Sequence, residues 1–293
     1  MTAWRTIGVA GAVLFVLAGA GDADARDQPA AQVAQAGLDL SGQDLTGRDL
    51  AKEDLRGANL AGSKMDGASL AGADLGSADL SGASLAGAKS TGANLSGAGL
   101  SGANLSGADL RETYLREIRA RGADFTGARL GGADLTRADL RGARFENAIL
   151  IRAVLDSARL DGARLSGVLM AGARFVKAHL DGADLSGADL AGANLARTDL
   201  TSADLREAIL TDADLSQTRL ERADLTWTRA KGATFAGARL AWVRAYGGDF
   251  RDGDFSGADL SEAEFAGADL SGADLGRSIL DGNNFRQANL SGI

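Results

Sequence analysis

The sequence predicts an all-β solenoid, a chain wound through short extended sides that stack coil on coil. Three observations carry that expectation. From Leu40 to Leu290 every fifth residue keeps one register over 51 sites with no insertion or deletion, and 45 of those sites hold Leu or Phe. The exceptions are Met65, Ser90, Ala120, Met170, Ala230 and Ala245. The composition is just as uneven, with 41 Gly, 1 Pro and 0 Cys in 293 residues. Aromatic residues make up only 5 % of the chain, so Leu and Ala have to fill the interior.

A helix repeats every ~3.6 residues and a strand every ~2, so neither shows a five-residue pattern to one side. A period of five does so when each pentapeptide contributes one extended piece and one turn. Two residues before the central Leu stands Ala at 35 of the 51 sites, and the residue between them is Asp or Asn at 27. Strand alternation then turns Leu and Ala inward and Asp or Asn outward. Gly, the usual occupant two residues after Leu, supplies the turn because it accepts φ > 0 without steric cost. Stacked coils would satisfy one another's backbone groups, and no single coil would be stable alone. Substitutions respect the inward volume: Ile118 accompanies Ala120, Val243 accompanies Ala245 and Thr228 accompanies Ala230.

Three segments are expected along the chain. Residues 1–25 read as a signal peptide, with Arg5 as the charged start, Ile7 to Gly21 as the apolar stretch, and two small-residue cleavage patterns. Of these, Ala23-Asp24-Ala25 is preferred over Ala18-Gly19-Ala20. The apolar stretch is shorter than the ~20 residues a membrane span needs. A periplasmic or secreted protein with no membrane span after cleavage is therefore expected. Residues 26–37 read as a linker and short capping helix, with Asp27 as N-cap, the only Pro near its start and Gly37 at its end. Residues 38–293 form the solenoid. Between 197 and 227 the Gly position holds Arg197, Ser202, Glu207, Asp212, Gln217, Arg222 and Trp227, so turns of negative φ are expected there.

Repeats such as Ala183-Asp184-Leu185-Ser186-Gly187 and Ala193-Asn194-Leu195-Ala196 resemble the pentapeptide-repeat proteins, and the resemblance covers nearly all of the chain beyond the signal segment. It implies a right-handed quadrilateral parallel β-helix with four pentapeptides per coil, hence about 13 coils and a rod ~60 Å long. Phe recurs at twenty-residue spacing, at 125 and 145, 235 and 255, 265 and 285, as rings stacked on one side of such a coil would.

Catalysis has few residues to work with. There is no Cys, the single histidine, His179, stands at an outward position without a partner base, and the glycines follow the turn period rather than a phosphate-loop spacing. No catalytic, cofactor-binding or metal-binding residues are expected, and no enzyme activity. Asp184, Asp204 and Asp224 would stack in one column, but a straight column does not converge the roughly six oxygens that Ca²⁺ takes.

Charge alternates along the chain: −4 over residues 26–110, +5 over 111–180, −6 over 181–226, +3 over 227–250 and −5 over 251–293. Some pentapeptide-repeat proteins look like duplex DNA in shape and negative charge and protect a DNA topoisomerase (gyrase), so the resemblance implies that alternative. A basic band with Arg129, Arg144, Arg159, Arg164 and Arg174 interrupts any such surface, and the net charge of −8 argues against nucleic acid as a partner. A cation-binding or enzyme accessory module is a further alternative. The best contact signal is apolar residues at outward positions. Ile149 and Leu169 stand twenty apart with Val154 and Ile151 near the same edge; Trp227 and Tyr246 fall near one corner and Trp242 on the next. Ile149, Val154, Leu169, Trp227, Trp242 and Tyr246 are thus the candidate protein-binding residues of a rigid interaction or structural scaffold. Phe255, Phe265 and Phe285 enlarge the final coils before Ser291-Gly292-Ile293, which suggests a C-terminal end-to-end homodimer.

Export carries the first testable outcome: N-terminal sequencing of the protein recovered outside the cytoplasm gives Arg26 as the first residue, and an intact Met1 on cytoplasmic protein refutes the signal peptide.

Overall fold

The structure is a computed structural model that describes residues 5–9, 12–16 and 37–293. Strands β1 (Arg5–Val9) and β2 (Ala12–Val16) pair antiparallel with Arg5 opposite Val16, within the expected signal segment. The expected capping helix lies outside the described residues, apart from Gly37. Among the described residues no helix is long and apolar enough to cross a membrane.

From Asp39 onward each outward residue bridges in parallel to the residue twenty positions later, Asp39 to Asn59, Asp44 to Lys64, and so on to Asp269 with Asn289. Twenty residues are four pentapeptides, so each coil has four sides. The backbone explains why the repeat keeps its register. The N–H of Leu185 donates to Asp204 O at 2.7 Å and that of Gly187 to Arg206 O at 2.8 Å, both on the next coil. The N–H of Asp184 donates back to Ala163 O at 3.0 Å, and that of Ala188 closes the turn on Leu185 O at 3.0 Å. One donor per pentapeptide is left, and here it is Ser186 N–H, which donates to Asp184 Oδ1 at 3.0 Å. The Asp or Asn of the repeat therefore completes the backbone account as well as facing water.

The corners correct one expectation. Every fifth residue from Gly37 to Gly292 has positive φ, including 21 that are not Gly. Arg197 (61°), Ser202 (57°), Glu207 (60°), Asp212 (56°), Gln217 (56°), Arg222 (62°) and Trp227 (58°) are all left-handed. The stacking bonds give the reason. The N–H of Arg197 has to reach Ser216 O, and that of Trp227 Tyr246 O, each at 2.9 Å, and a turn of the other kind would aim it away. A left-handed L-residue costs about 1–2 kcal/mol. An unmade buried backbone bond costs a similar amount at each group it orphans, and such a turn would orphan a donor and an acceptor.

Inside, the central Leu and the Ala two before it are buried along most of the rod. The volume-matched pairs Ile118 with Ala120, Val243 with Ala245 and Thr228 with Ala230 are all wholly buried. The Phe pairs stack as their spacing implies, Phe125 on Phe145 at 4.8 Å, Phe235 on Phe255 at 4.7 Å and Phe265 on Phe285 at 5.7 Å between ring centres. Compensation also runs the other way: a Cβ on Gly248 would meet the Phe250 ring at 2.5 Å, and one on Gly253 the Phe255 ring at 3.1 Å. Only Gly leaves room for those rings. In the first coil Gln43, Arg48 and Glu53 occupy the inward Ala position and stay half-exposed.

Three substitutions test the core packing and the corners. Leu185→Asp, an unpaired carboxylate in the leucine column, destabilises by several kcal/mol, about the cost of a buried charge, while Ala191→Ser on the outer surface changes stability by less than ~0.5 kcal/mol. Glu207→Gly relieves a left-handed corner and raises stability by up to about 1 kcal/mol despite the added chain entropy. Thermal melts of the three variants decide both points; a destabilised Glu207→Gly contradicts the strain argument.

Candidate functional site

The outward residues form a grid, four columns of sides and four of corners, with ~4.8 Å between coils. Its charged members are mostly spent on the fold. In the Asp-Leu-Arg repeats, and in Asp249-Phe250-Arg251, the Arg folds back on the Asp: Arg56 on Asp54 at 2.6 Å, Arg111 on Asp109 at 2.6 Å, Arg206 on Asp204 at 2.5 Å and Arg251 on Asp249 at 2.7 Å. Where the outward residue is neither Asp nor Asn, an acid on the coil before can take over. Asp66 Oδ1 accepts the N–H of Ala86 at 2.9 Å beside Ser84. Asp156 Oδ1 accepts the N–H of Val176 at 3.0 Å while its Oδ2 pairs with Arg174 at 2.7 Å.

Two groups of outward residues have no part in this accounting. The first is the apolar patch. Ile149 bridges directly to Leu169, with Arg129 before them and Asp189 after them in the same column. Ile151, 41 % exposed, occupies the following corner, and Leu169 is 43 % exposed. Val154 lies half-buried on the next side, between Asp134 and Arg174. The structure thus brings Ile149, Leu169 and Ile151 together and places Val154 around the edge from them.

The second group is aromatic. Trp227 and Tyr246 meet edge to face at 5.3 Å, and both are more than half exposed. Trp227 lies over Gly247 of the next coil, where a Cβ would overlap three of its ring atoms. Trp242, on the neighbouring corner, carries the Arg222 guanidinium 5.7 Å above its ring centre. Between these corners runs one side of the rod, indented by a shallow cleft of about 400 Å³ lined by Ser202, Ala203, Asp204, Arg206, Arg222, Asp224 and Arg244.

The family model described as pentapeptide repeats matches in overlapping segments that run from residue 39 to residue 293. The chain belongs to the pentapeptide-repeat family. Its fold is the right-handed quadrilateral β-helix of that family. Among solved structures it is similar to HetL, a pentapeptide-repeat protein involved in heterocyst differentiation regulation from the cyanobacterium Nostoc sp. strain PCC 7120. The identity is 34 %, over 68 % of this chain and 89 % of that one, with a TM-score of 0.67. A pentapeptide-repeat protein of the Arabidopsis thaliana thylakoid lumen is 33 % identical over 36 % of this chain and 66 % of that one, with a TM-score of 0.26. QnrB1, a plasmid-mediated fluoroquinolone resistance protein, is 19 % identical over 87 % of this chain and 91 % of that one, with a TM-score of 0.31. No curated protein matches the chain in sequence.

The other residues that stand out in the sequence are absorbed by the pentapeptide-repeat lattice. His179 bridges Arg159 and Asp199 in its column, and Asp184, Asp204 and Asp224 do stack as a column. Of that column, Asp204 pairs with Arg206 and Asp224 with Arg244 at 2.9 Å. Of the basic band, Arg144 lies 3.5 Å from Asp124 and Arg159 3.7 Å from Asp161, so part of its charge is met locally. Phe255 and Phe265 are fully buried and only Phe285 reaches the last coil's half-exposed zone, beside exposed Leu280 and Ile293. Sequence reasoning misses Tyr114, an exposed ring at an outward position between Asn94 and Asp134, although a large ring at the Asp position is a readable signal. It also misses the cleft, which only the stacking of three coils reveals.

Hydrogen bonds from Ser81 and Ser261 hold the carboxyls of Asp79 and Asp259 below the usual aspartate range. The guanidinium groups of Arg111, Arg141, Arg206 and Arg251 do the same for Asp109, Asp139, Asp204 and Asp249. Acids whose folded-state values are depressed stabilise the fold above their unfolded values, and that stability is lost as pH falls through the folded ones. Glu53 works in the opposite sense, raised by burial and then by Asp49, but it is one group against many. The melting temperature is therefore expected to hold from neutral pH down to about pH 5 and to fall below about pH 4. A melting temperature that rises on acidification contradicts the capping role of the aspartates.

Proposed function

We propose that this pentapeptide-repeat chain is an exported, non-catalytic scaffold that docks another protein on the apolar patch around Ile149 and Leu169. The observation that supports it most is their direct coil-to-coil adjacency on a side whose other outward residues are mostly polar. Apolar side chains clustered on a rigid surface lose little conformational freedom when covered, which suits a docking role. Arg129 precedes the patch in its own column and Asp189 follows it, while Arg144 and Arg164 on the preceding side share Glu146, so the fitting partner carries an apolar anchor with a polar rim of mixed charge. The alternating charge bands do not favour the duplex-mimic alternative, because the basic band falls where a duplex would stay negative.

The test is the double variant Ile149→Asp, Leu169→Asp. Both positions face outward, so melting shifts by less than about 1 kcal/mol, whereas the partner captured by crosslinking in the native envelope fraction disappears. Retention of the same partner by the double variant refutes the reading.

A further inference from the structure

The aromatic-flanked side has a chemistry different from that of the apolar patch. Trp242 stands at the corner where this side begins, and Tyr246 with Trp227 at the corner where it ends, about 13 Å of extended chain further on. Its floor holds two carboxylates, Asp204 and Asp224, against three guanidinium groups, Arg206, Arg222 and Arg244. Arg206 and Arg244 are paired with those carboxylates at 2.5 and 2.9 Å. Arg222 has no carboxylate within ion-pair distance among the described residues; it rests on the Trp242 ring instead.

The backbone beneath is already spent: Asp204 N–H donates to Ala183 O, Asp224 N–H to Ala203 O, and Asp224 O accepts from Leu205 N–H. An extended peptide would find neither ladder partners nor an apolar pocket there. Flat aromatic faces beside fixed carboxylate and guanidinium groups suit a ligand that is apolar on its ring faces and hydroxylated at its edge. The Trp227 ring packs over Gly247 and against Tyr246, so ordering it on binding costs little. The unpaired guanidinium adds a planar fork that matches a carboxylate.

We propose that this side is a binding site for a saccharide carrying a carboxylate, with its rings on Trp227 and Trp242 and its carboxylate on Arg222. The site lies on other coils than the protein-docking patch and stands independently of it.

Calorimetric titration of the full chain with an oligogalacturonate tests the site, with a neutral cello-oligosaccharide of equal length and a glutamate peptide of equal charge as comparisons. Saturable binding of the oligogalacturonate at about millimolar or tighter is expected. It weakens about tenfold or more in Trp227→Ala and in Arg222→Gln and is unchanged in Tyr114→Ala, with all variants melting like the parent. Absence of saturable binding overturns the site. So does equal binding of the neutral saccharide or the glutamate peptide, or indifference to both substitutions.

Discussion

Each coil of this rod depends on hydrogen bonds that its own residues cannot make among themselves. In nearly every interior pentapeptide, two N–H groups donate to the coil ahead and one to the coil behind, and one closes the turn. Where the outward residue is Asp or Asn, the donor that remains finds its oxygen two residues earlier, as Ser186 finds Asp184. This requirement fixes the spacing of the chain more strictly than the hydrophobic core does. A core of Leu and Ala would tolerate a slipped residue at one coil by repacking, but a slip would orphan donors on three coils at once. The absence of insertions over 51 sites follows from that constraint.

The same constraint explains which parts of the fold are legible in the sequence. The inward sets are readable because period and alternation together leave one arrangement, and the volume pairs such as Ile118 with Ala120 confirm it residue by residue. The coil size follows from resemblance and is borne out by bridges such as Asp39 to Asn59 and by the stacked rings of Phe125 and Phe145. At the corners from Arg197 to Trp227 the sequence misleads. Local preference counsels against left-handed backbone at Arg or Glu, and the competing demand, a carbonyl nineteen residues later, has no local sequence signature.

The candidate sites divide along similar lines. Ile149 and Leu169 can be found by counting in twenties, since neighbours in a column are twenty apart. The cleft beside Trp227 and Trp242 cannot, because it depends on which guanidinium groups turn back on their own carboxylates and which do not. Arg206 follows Asp204-Leu205 directly, whereas Arg222 stands at the Gly position of its repeat. One is committed to Asp204, and the other lies on an indole ring. Position in the repeat and nearest-neighbour chemistry on the outer grid together decide which positions remain available for a ligand.

The seven successive non-glycine corners from Arg197 to Trp227 have a mechanical consequence. In a solenoid each coil contacts only its neighbours, so stability is a local sum rather than a property of the whole rod. Left-handed backbone at roughly 1 kcal/mol per corner concentrates several kcal/mol of conformational cost in less than two coils. Those coils are the place where amide protons should exchange with solvent while the flanking stacks stay closed, so the rod opens from within as well as fraying from its ends. The cleft from Ser202 to Arg244 draws on those same coils and ends at Trp227, the last of those seven corners, so the candidate binding surface stands partly on the joint that parts most easily.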